Sequence, residues 1–224
     1  MSQQRYDLVV FGATGYTGQL VCKYLLSHPQ RPSWAVAGRS ASRLSSLKSQ
    51  LSLPSSVGVI EAETSDGASL VAMTRQARVL VNIVGPYRPF KALEVVRACV
   101  ATETHYVDLS GETGFNKDVI DAFHLEAQAK GVTLACSVGF DSLPFDLTTF
   151  LAVQKAKELT GGKSEVKLAE CAYDLEGGFS AGTLASALSM ANDKQQMQHV
   201  RGDWLSPITK PNALTFNAVR WFQH

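Results

Sequence analysis

A chain of 224 residues has room for one full domain and part of a second. Hydrophobic residues at 45%, charged residues at 18% and a formal net charge of +1 describe an ordinary soluble globular protein. The two signs are mixed along the chain, which excludes nucleic-acid binding through a basic stripe. The absence of any run of about 20 apolar residues excludes a membrane-spanning helix and leaves peripheral membrane contact open.

Tyr6–Phe11 is a short apolar run stopping at Gly12, and its length and β-branched content predict a buried strand. A strand this early leaves no room for a signal peptide ahead of the fold. Tyr16 to Ser27 is expected to be helical, with Leu20, Val21, Tyr24 and Leu25 on one side, until Pro29 and Pro32 end it. The unit then repeats. Strands are expected at Trp34–Ala37, Val57–Ile60, Arg78–Val84, His105–Leu109 and Val132–Cys136, and helices at Ala41–Leu51, Gly67–Gln76, Phe90–Ala101 and Lys117–Lys130. Strands alternating with helices require parallel pairing and right-handed crossovers. The fold class is therefore α/β, a doubly wound parallel Rossmann sheet over residues 1–140, followed over 141–224 by the incomplete start of a second α+β domain. There, Pro144 to Leu159 reads as a helix, Val166 to Tyr173 as a strand and Gly182 to Met190 as a helix; Trp204 to His224 has no clear periodicity. The four cysteines, Cys22, Cys99, Cys136 and Cys171, form no CxxC pair and lie in apolar runs, so buried thiols in a reducing compartment are expected.

Gly12-Ala13-Thr14-Gly15-Tyr16-Thr17-Gly18 is a GxxGxxG turn between a strand and a helix. Gly12 permits the sharp turn, Gly15 lets backbone approach a diphosphate, and Gly18 lets helix and strand pack closely. The helix N-terminus adds free N–H groups and a partial positive charge. At the end of the second strand, where NAD-specific domains carry an acid, stand Gly38, Arg39 and Ser40, with Arg43 one turn on. A guanidinium pairs with a 2′-phosphate that an acid repels, so the expected cofactor is NADP(H). After the third strand Asp66 reads as a helix N-cap, and after the fourth Gly85 and Pro86 are expected to border the cofactor.

Together with GATGYTG and AGRS, the segments Val81–Tyr87, Ala98–Val100, His105–Glu112, Gly139–Pro144 and Ser180–Ser186 resemble the saccharopine dehydrogenase-like oxidoreductases, a group that includes the mycobacterial trans-acting enoyl reductases. The resemblance runs from Tyr6 to Asn192. It implies an NADP-binding domain, then a mixed α/β domain that completes the active site. It also implies hydride transfer to a small or lipid-like carbonyl, imine or enoyl substrate, a link to lipid or glycolipid metabolism, and association with lipid droplets or mitochondria. Family members are longer, so a non-enzymatic NADP-binding sensor or scaffold, and an inactive truncated product, stand beside the enzyme reading.

The fold places Asp108, Ser110 and Glu112 after the fifth strand and Asp141 and Ser142 after the sixth, beside the expected nicotinamide. Asp108, Glu112 and Asp141 are the candidate catalytic acids, each with a structural alternative as a turn or capping residue. Tyr87 and Lys91 share the YxxxK spacing of short-chain dehydrogenases, but Pro89 stands between them. The pair is read as coincidence and Tyr87 as a residue that shapes the loop. The five histidines share no ligand spacing, so no metal is expected.

Overall fold

The computed structural model describes residues 5–163, 165–172, 176, 178 and 180–192. Six apolar segments form strands: β1 (Tyr6–Phe11), β2 (Trp34–Gly38), β3 (Gly58–Glu61), β4 (Ala77–Asn82), β5 (His105–Asp108) and β6 (Leu134–Ala135). The segments between them form helices α1 (Tyr16–Ser27), α2 (Ala41–Gln50), α3 (Gly67–Thr74), α4 (Ala92–Ala101) and α5 (Thr113–Lys130), and α6 (Leu143–Leu159) and α7 (Ala181–Asn192) follow. All strand pairs are parallel, in the order β3-β2-β1-β4-β5-β6, so the order reverses between β1 and β4.

The central strands are apolar over most of their length because both faces of the sheet are covered, with Asp7, Arg78 and Asn82 at or near their ends. Val10 and Val36 pack with Cys22 and Leu25 of α1 and with Leu44 and Leu47 of α2. Their neighbours Val9, Phe11 and Ala37 turn to the other face, against Leu70 and Met73 of α3, Val95 and Cys99 of α4, and Phe115 and Val119 of α5. The alternation follows from the two-residue period of a strand.

The expected elements form up to Leu159 and again at α7, and their departures have local causes. In α1 the buried side is Gly18, Cys22 and Leu25; Leu20 and Tyr24 are 47% and 64% exposed. Gly18 must seat against the glycine turn, and that contact sets the rotation of the helix. β4 ends at Asn82, two residues early, because the Asn82 side chain accepts the Val84 N–H and draws the chain off the ladder. α4 starts at Ala92, after Lys91 takes a left-handed conformation. α5 begins four residues earlier than expected, which carries Phe115 into the core. β6 is only two residues long, and Ser137 just beyond it has φ +58. Residues 166–172 form no strand: almost all are exposed and none joins the sheet, so the alternation there finds no edge to pair with. Tyr173 and residues 204–224 lie outside the described residues. Cys22 and Cys99 are buried as expected, Cys136 is half-buried, and Cys171 is exposed in a segment that joins no strand of the sheet. No helix among the described residues is long and apolar enough to cross a membrane.

Candidate functional site

The carboxyl ends of the strands are tied together at the switch between β1 and β4, where doubly wound sheets open a crevice. Gly12 N–H donates to Ala37 O at 2.9 Å, Ile83 N–H to Phe11 O at 2.8 Å and Ala62 N–H to Gly38 O at 3.0 Å. Gly12 has φ +92, and a Cβ there would meet the Ile83 carbonyl carbon and Val84 Cγ2, each at 3.0 Å. A Cβ on Gly18 would collide with Gly12 O and lie 2.7 Å from Ala13 Cα. Gly15 is different: its φ is −76, and its added Cβ would meet only Gly12 O, at 3.4 Å. Gly12 and Gly18 are thus demanded by packing, whereas the exposed Gly15 leaves open backbone.

Gly15 is also the N-cap of α1 and supplies no side-chain cap, and the first turn holds no acid. The leading N–H groups of α1 therefore face outward without a cap, a site suited to an anion. Ala13 and Gly18 are buried, Thr14 and Thr17 half-buried, and Tyr16 exposed at the helix start. These features fit a dinucleotide diphosphate at the turn.

One strand away, Gly38 is followed by the exposed Arg39. Ser40 caps α2 by accepting the Arg43 N–H at 3.4 Å. Neither the Arg39 nor the Arg43 side chain has a partner among the described residues. α2 likewise has no acid in its first turn. Two uncommitted cations beside the turn suit a phosphate on the ribose. Asp66 is the N-cap of α3, accepting from Ala68 N–H at 3.0 Å and Ser69 N–H at 3.3 Å.

On the opposite side of β1, the loop after β4 carries half-buried Gly85 and Pro86, joined by a cis peptide bond. Tyr87 is buried; its hydroxyl donates to Asn82 O at 3.1 Å and accepts Leu109 N–H at 3.3 Å. Burial, followed by the nearby Asp108, pushes this phenol far above its ordinary range. Tyr87 therefore shapes the loop, and Lys91 is exposed at the N-cap of α4.

The three candidate acids stand in unlike surroundings. Asp108 is 2% exposed, and its Oδ1 accepts N–H bonds from Ser110 at 2.9 Å and Ser137 at 2.8 Å. Its Oδ2 is buried and makes no hydrogen bond of ordinary geometry among the described residues, with the Tyr106 and Cys136 side chains beside the carboxylate. Desolvation raises its pKa, opposed by the Ser110 and Ser137 amides. Burial, then Asp108, raises the neighbouring Cys136 thiol in turn. Glu112 is fully buried; its two oxygens accept Tyr87 N–H at 2.8 Å and Arg88 N–H at 3.2 Å. Although it is the N-cap residue of α5, its side chain makes no capping bond. Asp141 is exposed. Its carboxylate lies beside Gly111 and Gly139, whose added Cβ atoms would each stand 3.5 Å from it. Ser142 is half-buried next to it, as the N-cap residue of α6.

Sequence reasoning missed the polar network beneath this edge. Asn82 Nδ2 donates to Tyr106 Oη at 3.0 Å, and both residues are buried. Asn116 Nδ2 donates to Ser137 Oγ at 2.7 Å, and Ser137 Oγ donates to Ser110 O. One signal for it was legible: Asn82 closes the apolar run Val79–Val81, and it pairs across the sheet with Asp108. Beyond β6, a cavity of about 540 Å³ opens between α5 and the start of α6, with Val119, Ile120, Leu134, Cys136 and Leu143 in its wall. Among the described residues no group of three His, Cys, Asp or Glu is placed to hold a metal ion.

The family described as the saccharopine dehydrogenase NADP binding domain matches residues 8–135, the span from β1 to β6. A saccharopine dehydrogenase-like oxidoreductase of Bos taurus is 36% identical over 222 residues, covering 90% of this chain and 50% of its own. A trans-acting enoyl reductase of Mycobacterium ulcerans is 32% identical over 206 residues, covering 90% and 49%. The chain thus spans about half the length of the curated relatives it matches. Among solved structures, apo saccharopine dehydrogenase (L-Glu forming) of Saccharomyces cerevisiae superposes with a TM-score of 0.53 at 19% identity, over 70% of this chain and 32% of that one, a likeness of fold.

Proposed function

Because the chain belongs to the saccharopine dehydrogenase NADP-binding domain family, we propose that it binds the cofactor of an NADPH-dependent reductase acting on a small or lipid-like carbonyl, imine or enoyl substrate. The observation that carries this reading is the pairing of an uncapped glycine turn with two uncommitted arginines across β1 and β2. The N–H groups at the start of α1 hold the diphosphate, and Gly12 and Gly18 keep the turn close enough for them to do so. Arg39 holds the 2′-phosphate, with Ser40 and Arg43 beside it, and the Gly85–Pro86 edge walls the other end of the crevice. When bound, NADPH supplies a hydride with its electron pair to an electrophilic carbon, leaving NADP+ as a proton reaches the oxygen, nitrogen or neighbouring carbon.

Of the three acids, Asp141 is the one whose carboxylate is open to solvent, so it is the group placed to orient substrate or move that proton. Asp108 and Glu112 are occupied with backbone amides and hold the loops around it. The cavity beside β6 has a mixed lining, and its apolar part, Val119, Ile120, Leu134 and Leu143, offers a wall for an acyl group. Peripheral association with a lipid droplet or mitochondrion belongs to the same proposal and rests on the family resemblance. A second reading, a redox sensor or scaffold that binds NADP without turnover, is favoured by α6, which buries none of its residues.

Calorimetric titration with NADPH and then NADH at one salt concentration tests the cofactor, on the chain and on Arg39→Asp. Loss of the guanidinium contact is expected to weaken NADPH by about ten- to a hundredfold and leave NADH unchanged. Equal affinity of the parent chain for both cofactors would refute the assignment of Arg39. NADPH oxidation across carbonyl, imine and enoyl substrates then separates reductase from sensor.

A further inference from the structure

We propose that Glu112 is a positioning residue whose buried carboxylate clamps the loop after β4 onto the N-terminus of α5, fixing the wall of the crevice on the nicotinamide side. This rests on the NADP reading above. Two amides of consecutive residues, Tyr87 and Arg88, point at the two oxygens of one side chain that has no exposure at all. A buried carboxylate is strongly disfavoured unless its charge is met. Here two charge-assisted N–H bonds meet it at the positive end of an 18-residue helix. The residue type follows from the geometry: two converging donors need two acceptors, and the amide of a glutamine offers one.

The rest of the loop is held by the same neighbours. Arg88 Nε pairs with Asp118 Oδ2 at 2.7 Å, one turn along α5. The Tyr87 ring lies 5.3 Å from that of Phe115, and its hydroxyl bridges the ends of β4 and β5. Ser110 Oγ accepts the Glu112 N–H at 3.0 Å and seats Glu112 in turn. Near its other end the loop passes the glycine turn, with a Val84 methyl 3.0 Å from where a Cβ on Gly12 would lie. A change at Glu112 therefore propagates to the crevice on the β4 side of β1, while Arg39 acts on the β2 side.

The test compares Glu112→Gln, Glu112→Asp and Arg39→Asp in the full chain, titrating each with NADPH and with adenosine 2′,5′-bisphosphate, which lacks the nicotinamide end. Glu112→Gln is expected to weaken NADPH by about tenfold, leave the bisphosphate within about twofold, and speed amide exchange at Tyr87 and Arg88. Arg39→Asp is expected to weaken both ligands without changing those amides. A general loss of structure would weaken both ligands in Glu112→Gln as well, and that outcome overturns the proposal. So does unchanged NADPH affinity in Glu112→Gln. Should the glutamine variant not fold, Glu112→Asp, which keeps two acceptors on a shorter stem, is expected to show the same selective loss to a smaller degree, and equal losses of both ligands would overturn the proposal there too. A parent chain that binds the bisphosphate and not NADPH refutes the cofactor reading itself, a result distinct from a failure confined to Glu112.

Discussion

Gly18 and Gly15 lie three residues apart and answer to different forces. An alanine methyl at 18 would be driven into the Gly12 carbonyl and the Ala13 backbone, neither of which can move without opening the turn. Overpacking of this kind costs about 1–3 kcal/mol, so Gly18→Ala is expected to lower the thermal midpoint and weaken NADPH together. At Gly15 the nearest atom to an added Cβ is 3.4 Å away, so Gly15→Ala should melt with the parent and lose only cofactor affinity. Equal midpoints for both variants would mean that Gly18 is not a packing requirement. The pH dependence at Asp108 is also a single-residue matter. Its carboxyl pKa is raised by burial, so the folded chain holds that proton more tightly than the unfolded one. The group's contribution to stability is fullest below the unfolded value of about 3.9 and declines as pH rises towards the folded value. Asn at this position keeps one oxygen for the Ser110 and Ser137 amides and never ionises. The stability of Asp108→Asn relative to the parent is therefore expected to improve as pH rises from about 4 to 7. Asp7 serves as the opposite control, since Ser33 and then Arg78 lower its pKa. Unfolding at a series of pH values checks both signs, and a difference that is flat with pH would remove the ionisation argument.

Helix ends show which elements are set locally and which by tertiary contact. Asp66 caps α3 through two N–H bonds within its own turn. Asp66→Ala is expected to cost about 1 kcal/mol, a drop of roughly 2–4 °C for a domain of this size, and Asp66→Ser to recover most of it. Thermal melts of the pair decide it: no drop on Asp66→Ala would show that the cap is idle. That cap was legible in the sequence because its partners are two and three residues away. The six strands and the glycine turn were legible for a similar reason, each being a contiguous apolar or glycine pattern. The role of Glu112 was not, because its partners lie 24 and 25 residues earlier in the chain. The same applies to Asn82 and Tyr106, joined across the sheet. The orientation of α1 was misread because Leu20 and Tyr24 are as apolar as the residues that turn inward, and only the seat of Gly18 breaks the tie. The alternation over 166–173 misled in the opposite sense, since period alone does not supply a neighbouring strand.

At the scale of the whole molecule, the buried hydrophobic core runs from Val9 to Val132, and everything proposed for the cofactor lies within that span or on its edge. α6 buries nothing and leaves Leu147, Phe150 and Leu151 between 47% and 56% exposed. The described side chains of α7 are not buried either. Apolar helix faces that stay exposed among the described residues add little to the stability of the sheet and offer surface for self-association. A chain ended after Ser142 is therefore expected to fold, to bind NADPH within about threefold of the full chain, and to sediment as a monomer where the full chain associates with rising concentration. Saturation at 100 times Kd should stabilise both by the same ~2.7 kcal/mol, because the binding free energy is linked to folding of the sheet alone. Sedimentation and ligand-dependent melts on the two lengths decide it. A shortened chain that folds but no longer gains stability from NADPH would show that residues beyond 142 complete the cofactor site, and the division of labour between sheet and following helices would have to be redrawn.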